Sequence, residues 1–262
     1  MTIYQVIREG ILDRKALKRT ADRIRKDYGI GYLSYIQYLS PADGYSRATN
    51  ERVPSLCPYA TKGCTVGCLG KSAGKMRLTS SQQAQVKRSR LYHRDRAGYF
   101  TVLADEILRA KRKADREGLQ LSIRLNGTSD VKWEDLRVNV LGVQFYNIFE
   151  AFPDVIFYDY TKIPLRYRQR GVNTSNYHLT YSYTGESVSI DRAFEYLSIG
   201  LGVSVVYLGN PEREVSRLFP SAKSRVNGDV HDMRFLDPKG SIVLLKAKGD
   251  AKRDHSGFVI RG

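Results

Sequence analysis

All three cysteines of this chain, Cys57, Cys64 and Cys68, fall inside twelve residues, and no other feature limits so sharply what the chain can become. An odd number of cysteines, with none elsewhere, argues against a disulfide framework and for a reducing compartment. The segment Cys57-Pro-Tyr-Ala-Thr-Lys-Gly-Cys64-Thr-Val-Gly-Cys68 has the form C-x6-C-x3-C. Gly63, Gly67 and Gly70 let its backbone fold tightly around a bound group. Thiolates are soft ligands that suit zinc or an iron–sulfur cluster. Three ligands from one loop can hold three irons of a four-iron cluster and leave the fourth iron open. Zinc usually takes a fourth protein ligand, which here means one of His93, His178, His231 or His255, all distant along the chain. Free buried cysteines, or a cysteine nucleophile with a histidine brought in by folding, are the non-metal readings.

Charge is the second constraint, because 43 Lys and Arg against 27 Asp and Glu give the 262 residues a net charge of +16. Its distribution is uneven. Residues 101–200 are balanced, whereas residues 62–96 carry nine cations and only Asp95, so half of the excess sits in that window. A dense cationic surface favours polyanions through counterion release, which makes nucleic acid or a phosphorylated ligand the expected partner. Lys87, Arg88 and Arg90 are the expected contacts; a solvated helix face is the bland alternative. Gly70-Lys71-Ser72 is not a phosphate loop, since Thr65 stands where the first glycine is required. No apolar run approaches the roughly 18 residues that span a bilayer. The first thirty residues hold no signal-peptide h-region, so the expected location is the cytoplasm and no membrane partner is expected.

Along the chain, Ile7, Ile11, Leu17 and Ile24 are spaced among Arg and Lys in a pattern that predicts a basic N-terminal helix over Tyr4–Tyr28, within a helical extension of residues 1–29. Six β-rich runs follow: Tyr32–Leu39, Leu121–Leu125, Val155–Tyr158, His178–Tyr183, Val203–Leu208 and Ile242–Leu245. Between the first two, one or two helices are expected over residues 80–117. Thr79 and Gln82 form a candidate capping box there; Phe100, Leu103, Ile107, Ala110 and Ala114 make an apolar face, and Gly118 ends it. Strands alternating with helical stretches predict a single α/β domain over residues 1–262. Its core would be a partial (β/α)6 barrel-like parallel sheet, with the cysteine loop after its first strand. Such folds bind ligands at the carboxyl ends of their strands. The polar loops there nominate Asn126 and Asp130 for hydrogen bonds to ribose or amino-acid groups, and Asp159 and Lys162 for proton or phosphate handling. Ordinary turn chemistry is the alternative for each of them.

The cysteine segment, Arg124-Leu-Asn-Gly-Thr-Ser-Asp130 followed by Trp133-Glu134, Tyr158-Asp-Tyr-Thr-Lys162, Asp229 to Leu236 and Lys246-Ala-Lys-Gly249 resemble the gene-product-eighty-eight-like proteins of bacteriophages and plasmids. The resemblance covers roughly residues 30–260 and implies, for a phage-encoded chain, the host cytoplasm. A cysteine loop after the first of six βα units is also remotely similar to radical S-adenosylmethionine enzymes. That likeness implies a four-iron cluster on Cys57, Cys64 and Cys68 and S-adenosylmethionine as a cofactor, in an enzyme acting on nucleic acid or a nucleotide. The chain departs from that pattern, with spacings of six and three in place of three and two, and with Asn126–Asp130 where a Gly-Gly-Glu is usual. The rival expectation is a non-enzymatic nucleic-acid-binding protein with structural zinc. Substrate and oligomeric state are not legible in the chain.

Overall fold

A computed structural model of the chain describes residues 10–14, 28–42, 44–46 and 50–262. Most of the expected basic N-terminal helix and of the helical extension over residues 1–29 therefore lies outside the described residues. Where that stretch is described, Leu12–Arg14 is a strand, not a helix. The Glu106 carboxylate accepts the Ile11 and Leu12 amides at 2.8 and 2.7 Å, which holds this piece extended against the sheet.

Nine strands form the main sheet among the described residues. They are β1 (Leu12–Arg14), β2 (Tyr32–Gln37), β3 (Gln120–Arg124), β4 (Ile156–Thr161), β5 (Tyr177–Ser182), β6 (Gly202–Leu208), β7 (Ser224–Asn227), β8 (Ser241–Lys246) and β9 (Val259–Arg261). The order is β1-β2-β3-β4-β5-β6-β8-β7, with β9 beside β6. All pairings are parallel except that of β1 with β2. All six expected runs are strands of this sheet. The (β/α)6 barrel is corrected: β1 and β7 are free ends of the strand order, so the sheet is open.

The pleat sorts side chains by parity. Leu121 and Ile123 of β3, Phe157 of β4, Tyr177, Leu179 and Tyr181 of β5, and Val203 and Val205 of β6 face the helices and build two buried apolar clusters. Full burial of each such large side chain contributes about 1.5–3 kcal/mol. The opposite parity is polar or aromatic: Arg124, Tyr158, Tyr160, His178, Ser182 and Ser204. Phe235 covers part of that face, its ring 5.2 to 5.8 Å from those of Tyr32, Tyr158 and His178.

The helices include α1 (Lys62–Val66), α2 (Leu69–Ser72), α3 (Thr79–Arg94) and α4 (Arg96–Glu117). The expected face of α4, from Phe100 to Ala114, is buried in the first apolar cluster. Gly118 ends the helix in the left-handed region at φ 61°, which costs a glycine little. The capping box is not formed. Leu78 occupies the N-cap of α3, and the Gln82 amide instead donates to the Met76 carbonyl at 3.3 Å.

β6 pairs with β5 at Gly202–Ser204 and with β9 at Val206–Leu208, while β8 occupies its other side. β5 thus leaves the sheet at Ser182 and the C-terminal strand takes its place. The sheet divides there, at its carboxyl edge.

Candidate functional site

The cysteine segment is folded by contacts that its own residues specify. The Thr61 hydroxyl accepts the Cys64 amide at 3.3 Å and caps α1; Cys68 stands at the N-cap of α2. Cys57 lies on the preceding loop, which is stitched to residues 126–131. Asp130 N donates to Leu56 O at 2.8 Å, and the Cys57 thiol points at Thr128 O at 3.6 Å. Gly70 is required by this approach, since a Cβ there would sit 2.7 Å from the Thr128 methyl.

Cys57, Cys64 and Cys68 all line one cavity of about 540 Å³, whose walls include Arg124, Asp130, Tyr160, Lys162, Ser182, Ser204, Asp232 and Lys246. It lies at the carboxyl ends of β3, β4, β5, β6 and β8, on the polar face, where the sheet divides. All three cysteines are free. Burial pushes the Cys57 thiol up and the Cys68 thiol up to about 11. Among the described residues no group of three or more His, Cys, Asp or Glu is already gathered at metal-binding distance. The thiols therefore share a space rather than a finished coordination sphere. Among the histidines, His231 lines the same cavity and sits with Arg234, whereas His93 bonds the Pro54 carbonyl, His178 packs on Phe235 and His255 is exposed.

Lys162 reaches into this cavity and its ammonium donates to Ser182 Oγ at 2.8 Å. Burial works against its charge, but Cys64, Asp130 and Cys57 outweigh burial and raise its pKa. Asp130, 7% exposed, accepts the Lys162 amide on Oδ2 at 2.7 Å. Its Oδ1 is itself buried, with the Thr161 hydroxyl beside the carboxylate. Burial raises the Asp130 pKa against the pull of Arg168. Arg124 is held by Asp232 at 3.2 Å and stacks over Tyr160 at 4.5 Å.

Other nominated residues have different roles. Asn126 lines the cavity, yet its side chain is spent on its own loop. Its Oδ1 accepts from Ser129, the Val131 amide and Trp133 Nε1, and its Nδ2 donates to Val131 O and Asp159. Asp159 has the parity of Phe157 and Thr161, so it faces the helices and not the cavity; Lys162 falls on the other side of the pleat. The Asp159 carboxylate accepts from the Asn126 amide at 2.6 Å and the Tyr177 hydroxyl at 2.9 Å. Arg168, fully buried, extends this network to Tyr177 and to Glu134 at 3.1 Å. The Asn126–Asp130 and Trp133-Glu134 motifs are thus the scaffold that carries Asp130 to the cavity.

Lys87, Arg88 and Arg90 lie on α3, away from the cavity. Arg88 is buried and donates to Gly10 O, Tyr38 O and Asp13; Arg90 pairs with Glu51 at 2.6 Å. Lys87 lines a separate hollow with Lys75 and Ser81. Reading along the chain missed Tyr160, Ser182, Ser204 and Asp232. The signal was there for Ser182, the last residue of β5, while Ser204, in the first half of β6, is brought to the cavity by its pairing with β5.

A family profile described as gene product 88 matches residues 14–262. The chain belongs to the gene product 88 family. No curated protein matches it and no solved structure matches it, so the likeness to radical S-adenosylmethionine enzymes is not shown by these comparisons. Like the cavity walls, the cysteine segment, the Asn126 loop and the Lys246–Gly249 run all fall within the span that the gene product 88 profile matches. Among the described residues no helix is long and apolar enough to cross a membrane.

Proposed function

We propose that this gene product 88 family member is an iron–sulfur enzyme that takes a nucleotide, free or as part of a nucleic acid, into the cavity beside its cysteines. The observation that carries the reading is that Cys57, Cys64 and Cys68, on three separate pieces of backbone, all line one cavity at the carboxyl edge of a parallel sheet. The donor set, three thiols with space in front, fits a cluster with one open iron, and His231 on the same cavity wall is the fourth ligand a zinc site would need. When bound, the cluster supplies an electron and an open coordination position, to which S-adenosylmethionine is the first ligand to try.

The residues around it have definable tasks. Asp130 sets a buried carboxylate in the wall beside Lys162, whose charge it favours. Lys162 holds a proton and a positive charge at the same wall, facing Cys64. Arg124, fixed by Asp232 and Tyr160, presents a rigid cation. The cavity volume falls within the roughly 300–1,000 Å³ of small-molecule sites. A cytoplasmic location, the host cytoplasm for a phage-encoded chain, suits thiols that must stay reduced.

Anaerobic purification and reconstitution with iron and sulfide test this reading. We expect a brown protein with visible absorbance and iron that Cys57→Ala, Cys64→Ala and Cys68→Ala each remove. Zinc in stoichiometric amount without iron, or iron retained by all three variants, overturns the cluster; zinc would favour the non-enzymatic binding protein instead.

A further inference from the structure

We propose that the rim of the cavity is the track of a single-stranded nucleic acid, gripped by Lys62, Lys246, Lys252 and Arg253, which delivers one nucleotide inward. The inference rests on the reading above that a nucleotide enters the cavity, and it names where the strand lies. Two segments far apart in sequence build the rim. α1 and α2 pack on the turn Gly249–Arg253, with Asp250 N donating to Ser72 Oγ at 3.2 Å. A Cβ at Gly67 would stand 3.1 Å from the Ala251 methyl. These contacts set α1, which begins at Lys62, against the turn that carries Lys252 and Arg253; Ala251 of that turn and Lys246 line the cavity itself.

All four cations are exposed, and none makes an ion pair among the described residues. The basic stretch on α3 is different, because Arg88 and Arg90 are neutralised by Asp13 and Glu51. Three carboxylates near the rim are occupied, Asp229 by Lys248 at 2.6 Å, Asp232 by Arg124, and Asp254 by Ser256 and the Val259 amide, which leaves Asp250 as the exposed anion on the turn itself, against two cations there. Val66 and Leu69 add exposed apolar surface on the same two helices, suited to an unstacked base. Unpaired exposed cations around a cavity mouth attract a phosphodiester chain through counterion release. A base locked in a duplex cannot reach a recessed site without leaving the stack, which selects a single strand.

The test uses reconstituted full-length protein, a labelled single-stranded oligonucleotide of mixed sequence, its duplex, and fluorescence anisotropy over a range of salt. Two double variants, Lys62→Gln with Lys246→Gln and Lys252→Gln with Arg253→Gln, are compared with Lys87→Gln. We expect the single strand to bind more tightly than the duplex. Each double variant should flatten the log–log salt slope by roughly 0.7 per lost contact, with melting temperature unchanged and Lys87→Gln like wild type. Wild-type slopes in both double variants, no strand binding at low salt, or a duplex bound as tightly as the strand each overturn the track. Iron content is read separately, so strand affinity lost in both variants of an iron-free protein supports the rim while sinking the cluster.

Discussion

Two carboxylates close in sequence number to candidate roles end in opposite environments. Asp130 lines the cavity and holds the Lys162 amide, whereas Asp159 spends both oxygens holding the Asn126 loop. Burial raises the Asp159 pKa to about 7 against the Asn126 amide and Arg124. An unfolded aspartate titrates near about 4, so between these values the native chain keeps a proton that the unfolded chain releases. The stabilisation from that proton is complete below about pH 4 and is lost as pH rises through about 7. Asp159→Asn cannot titrate, and its amide cannot accept from every donor now aimed at it. We expect a loss of about 1–3 kcal/mol at neutral pH, together with a flatter dependence of unfolding free energy on pH across that window. Urea melts at several pH values measure it, and a variant with the wild-type pH slope would refute the assignment.

Between elements, the decisive contact is that of α1 and α2 with the C-terminal segment. A Cβ on Gly63 would lie 2.1 Å from Ser256 Oγ and 2.6 Å from Phe258 Cβ, so this close approach depends on the absence of a side chain. Gly63→Ala should push α1 off the segment that leads into β9, at a cost of about 1–3 kcal/mol from overpacking. Because Cys64 is the next residue, iron retention should fall with it. Thermal melts and iron analysis of the reconstituted variant check both; a wild-type melting point with full iron would show that the packing is not coupled to the cysteines. The same contact explains why a C-terminal strand that pairs beside β6 belongs to the site at all.

For the whole molecule, the two apolar clusters lie on the helix face of the sheet and the cysteines on the other, so stability is expected to be uneven. Metal binding adds its free energy to the parts that it ties together. Hydrogen exchange of metal-free and reconstituted protein should differ most at residues 57–72 and 247–258, and little in β3, β4 and α4. Protection spread evenly over the sheet on reconstitution would mean that the metal organises the entire fold instead.

Much of this was legible along the chain. Six parallel strands showed as β-rich runs because they are dense in the β-branched and aromatic residues that suit a pleated, half-buried surface. The α4 face showed through its helical period, and the three cysteines through their clustering, which needs no folding to be seen. Short edge pieces were not legible: Leu12–Arg14 and Ser224–Asn227 are strands because a neighbour pairs with them, and Glu106 pins the first. Nor were partners across the fold. Arg88 and Lys252 are both cations in a basic chain, and only tertiary contact gives the first Asp13 and Tyr38 O and leaves the second exposed without an ion pair among the described residues. Asp159 and Lys162 lay within reach of sequence reasoning, since an odd spacing along one strand puts two side chains on opposite faces. What the chain could not reveal is that β5 departs at Ser182 and β9 replaces it, because that exchange depends on which edges remain unpaired once everything else has packed.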